Sequence, residues 1–322
     1  MKNRNIIFKT TKILIMKKIH ILISGMMLFS LVSMGQNEAD TAWKFGSKGS
    51  LSFSQSSFTN WSAGGDNTVN FNGLFDFYAN YEKGNNKWEN LLVMAYGQTR
   101  VGEQDYRKSE DKIDFISFYG IKASEKWYYS ANFNFKSQFA TGYDYPDEID
   151  LTRIKISNFL APAYTSLGVG MEYRPVDYFS VYLSPATARW IFVNDQELAN
   201  AGAFGVQAAE YDTLGNITKQ GETLRFEFGA YVRIMFVKDI AKNVNLSTKL
   251  ELFSDYIENP QNVDVNWDTM INLTINNWLA ASFGLQMVYD DNIPITDNDG
   301  NTGPRTQIKQ LLGVGLTYSI GK

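Results

Sequence analysis

The sequence predicts an all-β protein, a transmembrane antiparallel up-and-down β-barrel of about twelve strands of the outer-membrane type. Three observations carry this. Period-two alternation recurs in long runs, the connections between runs alternate short and long, and the polar face of the runs is poor in Lys and Glu. The stretch "VNFNGLFDFYANYEKG" (69–84) shows the first. Val69, Phe71, Phe75, Phe77, Ala79 and Tyr81 fall on one face and Asn70, Asn72, Asp76, Tyr78 and Asn80 on the other, with Leu74 the exception. Successive strand residues point to opposite faces, so such alternation marks a strand with one greasy and one polar side.

The chain opens with Lys17 and Lys18, an apolar run from Ile19 to Val32 and the small-residue end Ser33–Gln36. This is the layout of a cleaved secretory signal over 1–35, with a single barrel domain over 36–322. The run is shorter than the ~20 residues a spanning helix needs. Met16 is an alternative start. Removing 1–35 leaves 287 residues and takes away six bases (Lys2, Arg4, Lys9, Lys12, Lys17, Lys18) and no acid, which moves the formal charge from −4 to −10. That balance argues against a nucleic-acid partner, and if water passes through the barrel it favours cations. There is no cysteine, and the one histidine, His20, lies in the signal. No catalytic residue, metal site or cofactor is therefore expected, and a non-enzymatic role is.

Strands are expected near 47–59, 67–82, 87–100, 111–123, 127–140, 164–174, 177–184, 223–238, 242–257, 262–275, 278–290 and 306–320. The connections after even-numbered strands are tight, at 83–86, 124–126, 174–176, 239–242 and 276–277. Those after odd-numbered strands are mostly long, at 60–66, 101–110, 141–163, 185–222 and 291–305, with 258–261 the short exception. Outer-membrane barrels sort their connections this way, with short periplasmic turns and long extracellular loops. The amino end is thereby expected in the periplasm.

The polar face is built from residues such as Ser130, Asn132, Asn134, Ser166, Gly168, Asn266 and Asn272, which suit a crowded interior better than a solvated surface. The opposite face, with Phe133, Phe135, Phe226, Phe228, Ile271, Leu312, Val314 and Leu316, would meet acyl chains. Trp88, Trp127 and Trp278 each follow a short turn and are expected to form an interfacial aromatic girdle. The ending "GLTYSIGK", with Gly315, Tyr318 and Ile320, is similar to the signal read by the barrel-insertion machinery.

Charged residues on the inward face are Asp76, Lys112, Asp114, Lys136, Glu172, Arg225, Glu227, Arg233, Lys249, Glu251, Asp255, Asp264, Asp268 and Lys309. Mixed signs on neighbouring strands favour cross-strand ion pairs over a selectivity ring, because an unpaired buried charge is costly. Asp144, Asp147, Glu148 and Asp150, and the segment 290–303 with Asp297, Asp299 and Gly300, are acidic loop tips whose Gly falls too early for a calcium loop. "NWSAGG" (60–65) lacks the strand-to-helix setting of a phosphate loop. Gly215 and Asn216 suit a hairpin turn inside the longest loop, which either stands outside as a docking surface or folds inward as a plug.

The stretches 51–70, 108–143 ("KSEDKIDFISFYGIKASEKWYYSANFNFKSQFATGY"), 155–164, 193–212 and 259–268 together resemble an outer-membrane family of Bacteroidetes-type bacteria known as domain of unknown function 3078. The resemblance implies an outer-membrane location in contact with lipid, and no activity or binding residue to transfer. The functional expectation is a pore or transport protein for small solutes; the alternative is a structural or assembly scaffold whose loops bind a protein partner. Neutralising Arg225, Glu227 or Lys249 separates them: conductance changes if the lumen conducts, stability alone if the charges are paired filler.

Overall fold

The computed structural model describes residues 42–57, 67–145, 153–296 and 301–320. The signal segment 1–35, the loop 60–65 and the acidic residues Asp147, Glu148, Asp150, Asp297, Asp299 and Gly300 lie outside them.

Twelve antiparallel strands close into one barrel. They are β1 (Trp43–Ser56), β2 (Thr68–Lys83), β3 (Asn86–Val101), β4 (Arg107–Lys122), β5 (Trp127–Ser137) and β6 (Ala163–Val176) in the first half. The second half contains β7 (Phe179–Phe192), β8 (Leu224–Ala241), β9 (Val244–Asp255), β10 (Asp264–Thr274), β11 (Leu279–Tyr289) and β12 (Gln307–Ile320). Each pairs with its sequence neighbours, and β1 closes on β12. Closure leaves no unpaired edge, the condition for a sheet to cross hydrocarbon.

The tight connections all fall at one end. Gly84 turns between β2 and β3 at φ 61, and Asn243 between β8 and β9 at φ 63, a region open to glycine and tolerated by asparagine. The long connections at the other end carry small hairpins, Gly142–Asp144 with Ile154–Ser157, Glu210–Tyr211 with Ile217–Lys219, and Pro294–Thr296 with Thr302–Pro304. Gly215 sits at the tip of the second with φ 83.

Two strands depart from the sequence reading. β1 starts at Trp43, not at 47, so Trp43 and Phe45 join the outward face. β7 runs to Phe192, not to 184. The register of β7 slips against both neighbours, between Val169 and Met171 on β6 and between Gly229 and Tyr231 on β8. This is a one-residue bulge at Pro185, and it reverses which parity faces inward. The period-two pattern breaks there because its phase flips. Gly170 opposite the bulge has no room for a side chain, since a Cβ would lie 2.0 Å from the Leu183 carbonyl oxygen.

The outward face is apolar over the barrel: Leu51, Phe53, Tyr129, Val169, Phe226, Leu312, Val314 and Tyr318 are exposed. No helix among the described residues is long and apolar enough to cross a membrane. A closed sheet with such a belt is an outer-membrane barrel, and lipid is the solvent of its outer face.

Candidate functional site

The inward side chains form two polar layers and an aromatic one. In the half nearest the short turns, Glu172 on β6 is fully buried and gathers three cations. Lys87 pairs with it closely, Arg174 lies 3.1 Å away and Arg233 3.8 Å away. Arg174 also makes a forked pair with Glu89, at 2.9 and 2.8 Å. A planar guanidinium suits such two-pronged contact, which fixes geometry as well as charge.

Across the middle, Phe118, Tyr182, Tyr231 and Phe253 form a buried cluster inside the lumen. Phe118 meets Tyr182 edge-on at 5.4 Å. The Arg233 guanidinium lies 4.7 Å from the Phe118 ring and donates to Asn132 Oδ1 at 3.0 Å. This septum separates two cavities of about 340 Å³ each. One has Phe118, Arg233 and Met235 in its wall, and the other Tyr231, Phe253 and Asn134.

In the half nearest the loops, Lys136 on β5 reaches across to Glu251 on β9 at 2.5 Å, and Tyr231 donates to the same carboxylate at 2.7 Å. Lys249 lies between Glu251 (3.3 Å), Asp114 (3.6 Å) and Asp268 (3.9 Å). Lys309 on β12 pairs with Glu110 on β4 at 2.7 Å. Arg225 bridges Glu227 (3.1 Å) and Glu258 (3.2 Å). Asp76 stands apart from these groups, opposite Lys48 of β1. Asp290, just beyond β11, is pushed up to about 6, first by burial and then by the neighbouring Asp264.

Sequence reasoning missed Lys87, Glu89, Glu110 and Arg174 among the inward charges, and it missed Arg189. Arg189 pairs closely with Glu227, lies 2.5 Å from Asp264 and stacks 4.1 Å from the Phe253 ring. Beyond Pro185 the inward parity becomes odd, so Thr187, Arg189 and Ile191 face the lumen; the proline inside an alternating run was the signal.

Filling is lopsided. Inward residues of β4 to β9 such as Asp114, Asn132, Tyr182, Thr187 and Glu227 are buried, whereas those of β11, β12, β1 and β2, with Lys48, Leu74, Asp76 and Tyr78 among them, are mostly half-exposed. Within this wall Ser282, Gly284, Gly313, Gly315, Ser50 and Ser52 form a stretch of small residues on β11, β12 and β1, and inward-facing Leu311 stays 38 % exposed. A Cβ on Gly313 would meet nothing nearer than 3.8 Å.

Trp88, Trp127 and Trp278 lie at the short-turn end and are exposed. Trp88 packs 5.6 Å from Trp43, which packs 5.3 Å from Tyr81; Trp127 packs 4.9 Å from Tyr173. Ring pairs also sit at the loop end, Phe71 with Tyr106, Trp190 with Phe226 and Phe228 with Tyr256. Ring pairs thus lie at both ends of the barrel.

The longest loop packs on the rim. Ala161, Val193, Leu198, Ala199 and Val206 form a small buried core, with Phe204 against it. Asp195 caps the short helix α1 (Gln196–Asn200), accepting from the Glu197 and Leu198 amides, and also pairs with Lys155 at 2.8 Å.

Residues 53–143 match the family model described as "Protein of unknown function (DUF3078)". The DUF3078 segment runs from the second half of β1 through β5 to the first loop hairpin, and so supplies Asp114, Phe118, Asn132 and Lys136 to the interior. No curated protein sequence matches the chain. Among solved structures, the translocator domain of the autotransporter NalP from Neisseria meningitidis is similar at 11% identity and a TM-score of 0.34, covering 93% of this chain and 95% of that one. The COG4313 outer membrane channel from Pseudomonas putida F1 is similar at 10% identity and a TM-score of 0.38, covering 89% of this chain and 98% of that one. Similarity of this degree goes no further than the kind of fold.

Proposed function

We propose that the barrel is a passage for small solutes across the outer membrane and acts without enzymatic chemistry. The lopsided interior carries this reading. A barrel of eight strands is filled by its own side chains and one of sixteen holds a wide aqueous channel. Here the side chains of β4 to β9 fill most of their side of a twelve-stranded ring, and the Ser and Gly stretch of β11, β12 and β1 leaves room alongside. Ion pairs such as Lys136 with Glu251 hold the packed side in place, so the free space keeps a fixed position.

The test is single-channel recording from purified protein in planar bilayers. Gly313→Trp places a bulky ring into the free space and should lower unit conductance severalfold. Gly49→Trp, on the lipid face of β1 where a Cβ meets nothing within 4 Å, should leave it unchanged. Silence of the wild-type protein in every salt would overturn the passage.

The rim subdomain supports a second reading, a scaffold whose loops bind a partner, because the 210–219 hairpin projects Leu214 at 85 % exposure. Protein capture lost on deleting 210–219, in a barrel that does not conduct, would favour it.

A further inference from the structure

Donors and acceptors in the loop-half cavity do not balance. The cations in its wall are engaged: Lys112 with Asp114 at 3.4 Å, Lys136 with Glu251 at 2.5 Å, Lys309 with Glu110 at 2.7 Å, and Arg189 with Glu227 and Asp264. The Tyr231 hydroxyl is spent on Glu251. What remains is acceptor oxygen. Asp114 Oδ1, Asn134 Oδ1, Asn266 Oδ1 and Asp268 Oδ2 are buried and receive no hydrogen bond, and all four residues line this one cavity. Asp114 is 4% and Asn134 5% exposed.

Asn266 is fixed in orientation because its Nδ2 donates to Glu251 at 2.8 Å, so the group left over is its oxygen. Asp114 is held from the Oδ2 side by Lys112 and Lys249, at 3.4 and 3.6 Å, which leaves Oδ1 unserved. Acids also outnumber bases along the wall. Buried acceptors in native proteins find donors, and an acidic surround selects donors that bring positive charge. The acceptors stand in two sets, Asp114 and Asn134 on β4 and β5, Asn266 and Asp268 on β10, with the Lys249 ammonium between them, 3.6 Å from Asp114 Oδ2 and 3.9 Å from Asp268 Oδ2.

We propose that this cavity is a binding site for a small primary alkylammonium solute, whose N–H groups are received by Asp114 Oδ1 and Asn266 Oδ1. A solute with an amino group at each end meets one acceptor of each set, and the cavity of about 340 Å³ is large enough to hold one. The site names the class of solute for the passage and rests on that reading only for the route of entry.

The probe is 1,4-diaminobutane, titrated calorimetrically into the full-length protein in detergent micelles. Tetramethylammonium, which has charge but no N–H, and 1,4-butanediol, which has donors but no charge, serve as comparisons. Saturable binding of the diamine is expected, at least about tenfold tighter than either comparison, as loss of one charge-assisted hydrogen bond implies. Asp114→Asn and, separately, Asn266→Leu should each weaken it, with folding checked by heat-modifiable gel mobility. Should neither variant fold, the wild-type series decides alone. Equal binding of all three probes, or none, overturns the site. Conductance without diamine selectivity sinks the site and keeps the passage; selective binding with silent bilayers does the reverse.

Discussion

Glu172 has no exposed surface, yet it is the anion that Lys87, Arg174 and Arg233 share. Its contribution lies in neutralising cations already held in place by other contacts: Arg174 by Glu89, Arg233 by Asn132 and the Phe118 ring, Lys87 by the Tyr128 ring at 4.2 Å. Glu172→Ala therefore leaves three positive groups crowded in one half of the lumen with Glu89 as their remaining anion. Breaking a buried pair from one side costs roughly 3–5 kcal/mol, and denaturant unfolding in micelles should show a loss of that size. Replacing Lys87 by Met together with Glu172→Gln should recover part of it, because the excess charge is reduced with the anion. A loss under about 1 kcal/mol, the scale of exposed pairs, would mean that water already fills this half. The same physics explains why Arg189 tolerates its place: Glu227, Asp264 and the Phe253 ring surround it.

At the scale of elements, the strands were legible because each has lipid on one side and a crowded interior on the other, two environments that impose opposite residue types at every second position. The count of twelve and the division into turns and loops followed from that. β7 was read short because the Pro185 bulge exchanges the two faces, and Arg189 was lost with it. Which inward charges meet was not legible, since the contacts join distant strands: Lys309 with Glu110, Arg233 with Glu172, Lys87 with Glu172. Alternation fixes a face and says nothing about closure. The rim subdomain was equally hidden, because the residues of its core recur with no period. There, Asp195 joins the capping of α1 to Lys155 and Asn158. Burial alone would raise its carboxyl, yet hydrogen bonds from Lys155, Asn158 and the Leu198 amide hold it below the usual carboxylate range. A depressed carboxyl contributes stability above its unfolded value and loses it as pH falls through the folded one. Lys155 is raised, through its hydrogen bonds to Asp195 and Glu197, so its share is present below the ordinary lysine value and lost as pH rises through the raised one. The lock thus holds across neutral pH and opens in acid. Asp195→Ala should raise hydrogen exchange across 193–206 by about 1 kcal/mol, the worth of an N-cap, with barrel amides unchanged. Unaltered exchange in that segment would show that the apolar core holds the loop without the cap.

For the whole molecule, closure is uneven. β1 pairs with β2 over its full length, Trp43 to Ser56, but meets β12 only from Ser47 to Ser52, against Gly315 to Ile320. On the lumen side this seam carries Lys48, Ser50, Ser52, Gly315 and Thr317, so apart from Lys48 its inward residues are small, and it lies on the half-exposed wall. Backbone bonds and the lipid-facing Leu51, Leu316 and Tyr318 hold it. The seam is also the one pairing whose strands lie at opposite ends of the barrel sequence, so no turn tethers them. A cross-link there closes nearly the whole chain into a loop, where the unfolded state loses the most freedom. Ser50 and Thr317 are direct partners on the inward face, and the chain has no cysteine to interfere. With both changed to Cys, the oxidised protein should resist denaturant by about 2–4 kcal/mol more than the reduced form. A control pair at Ala79 and Asn90, partners on β2 and β3 that are already joined through the turn at Gly84, should gain less. If the control gains as much as the seam, or the seam pair gains nothing, the barrel opens elsewhere first and the short β1–β12 contact is not its weak point.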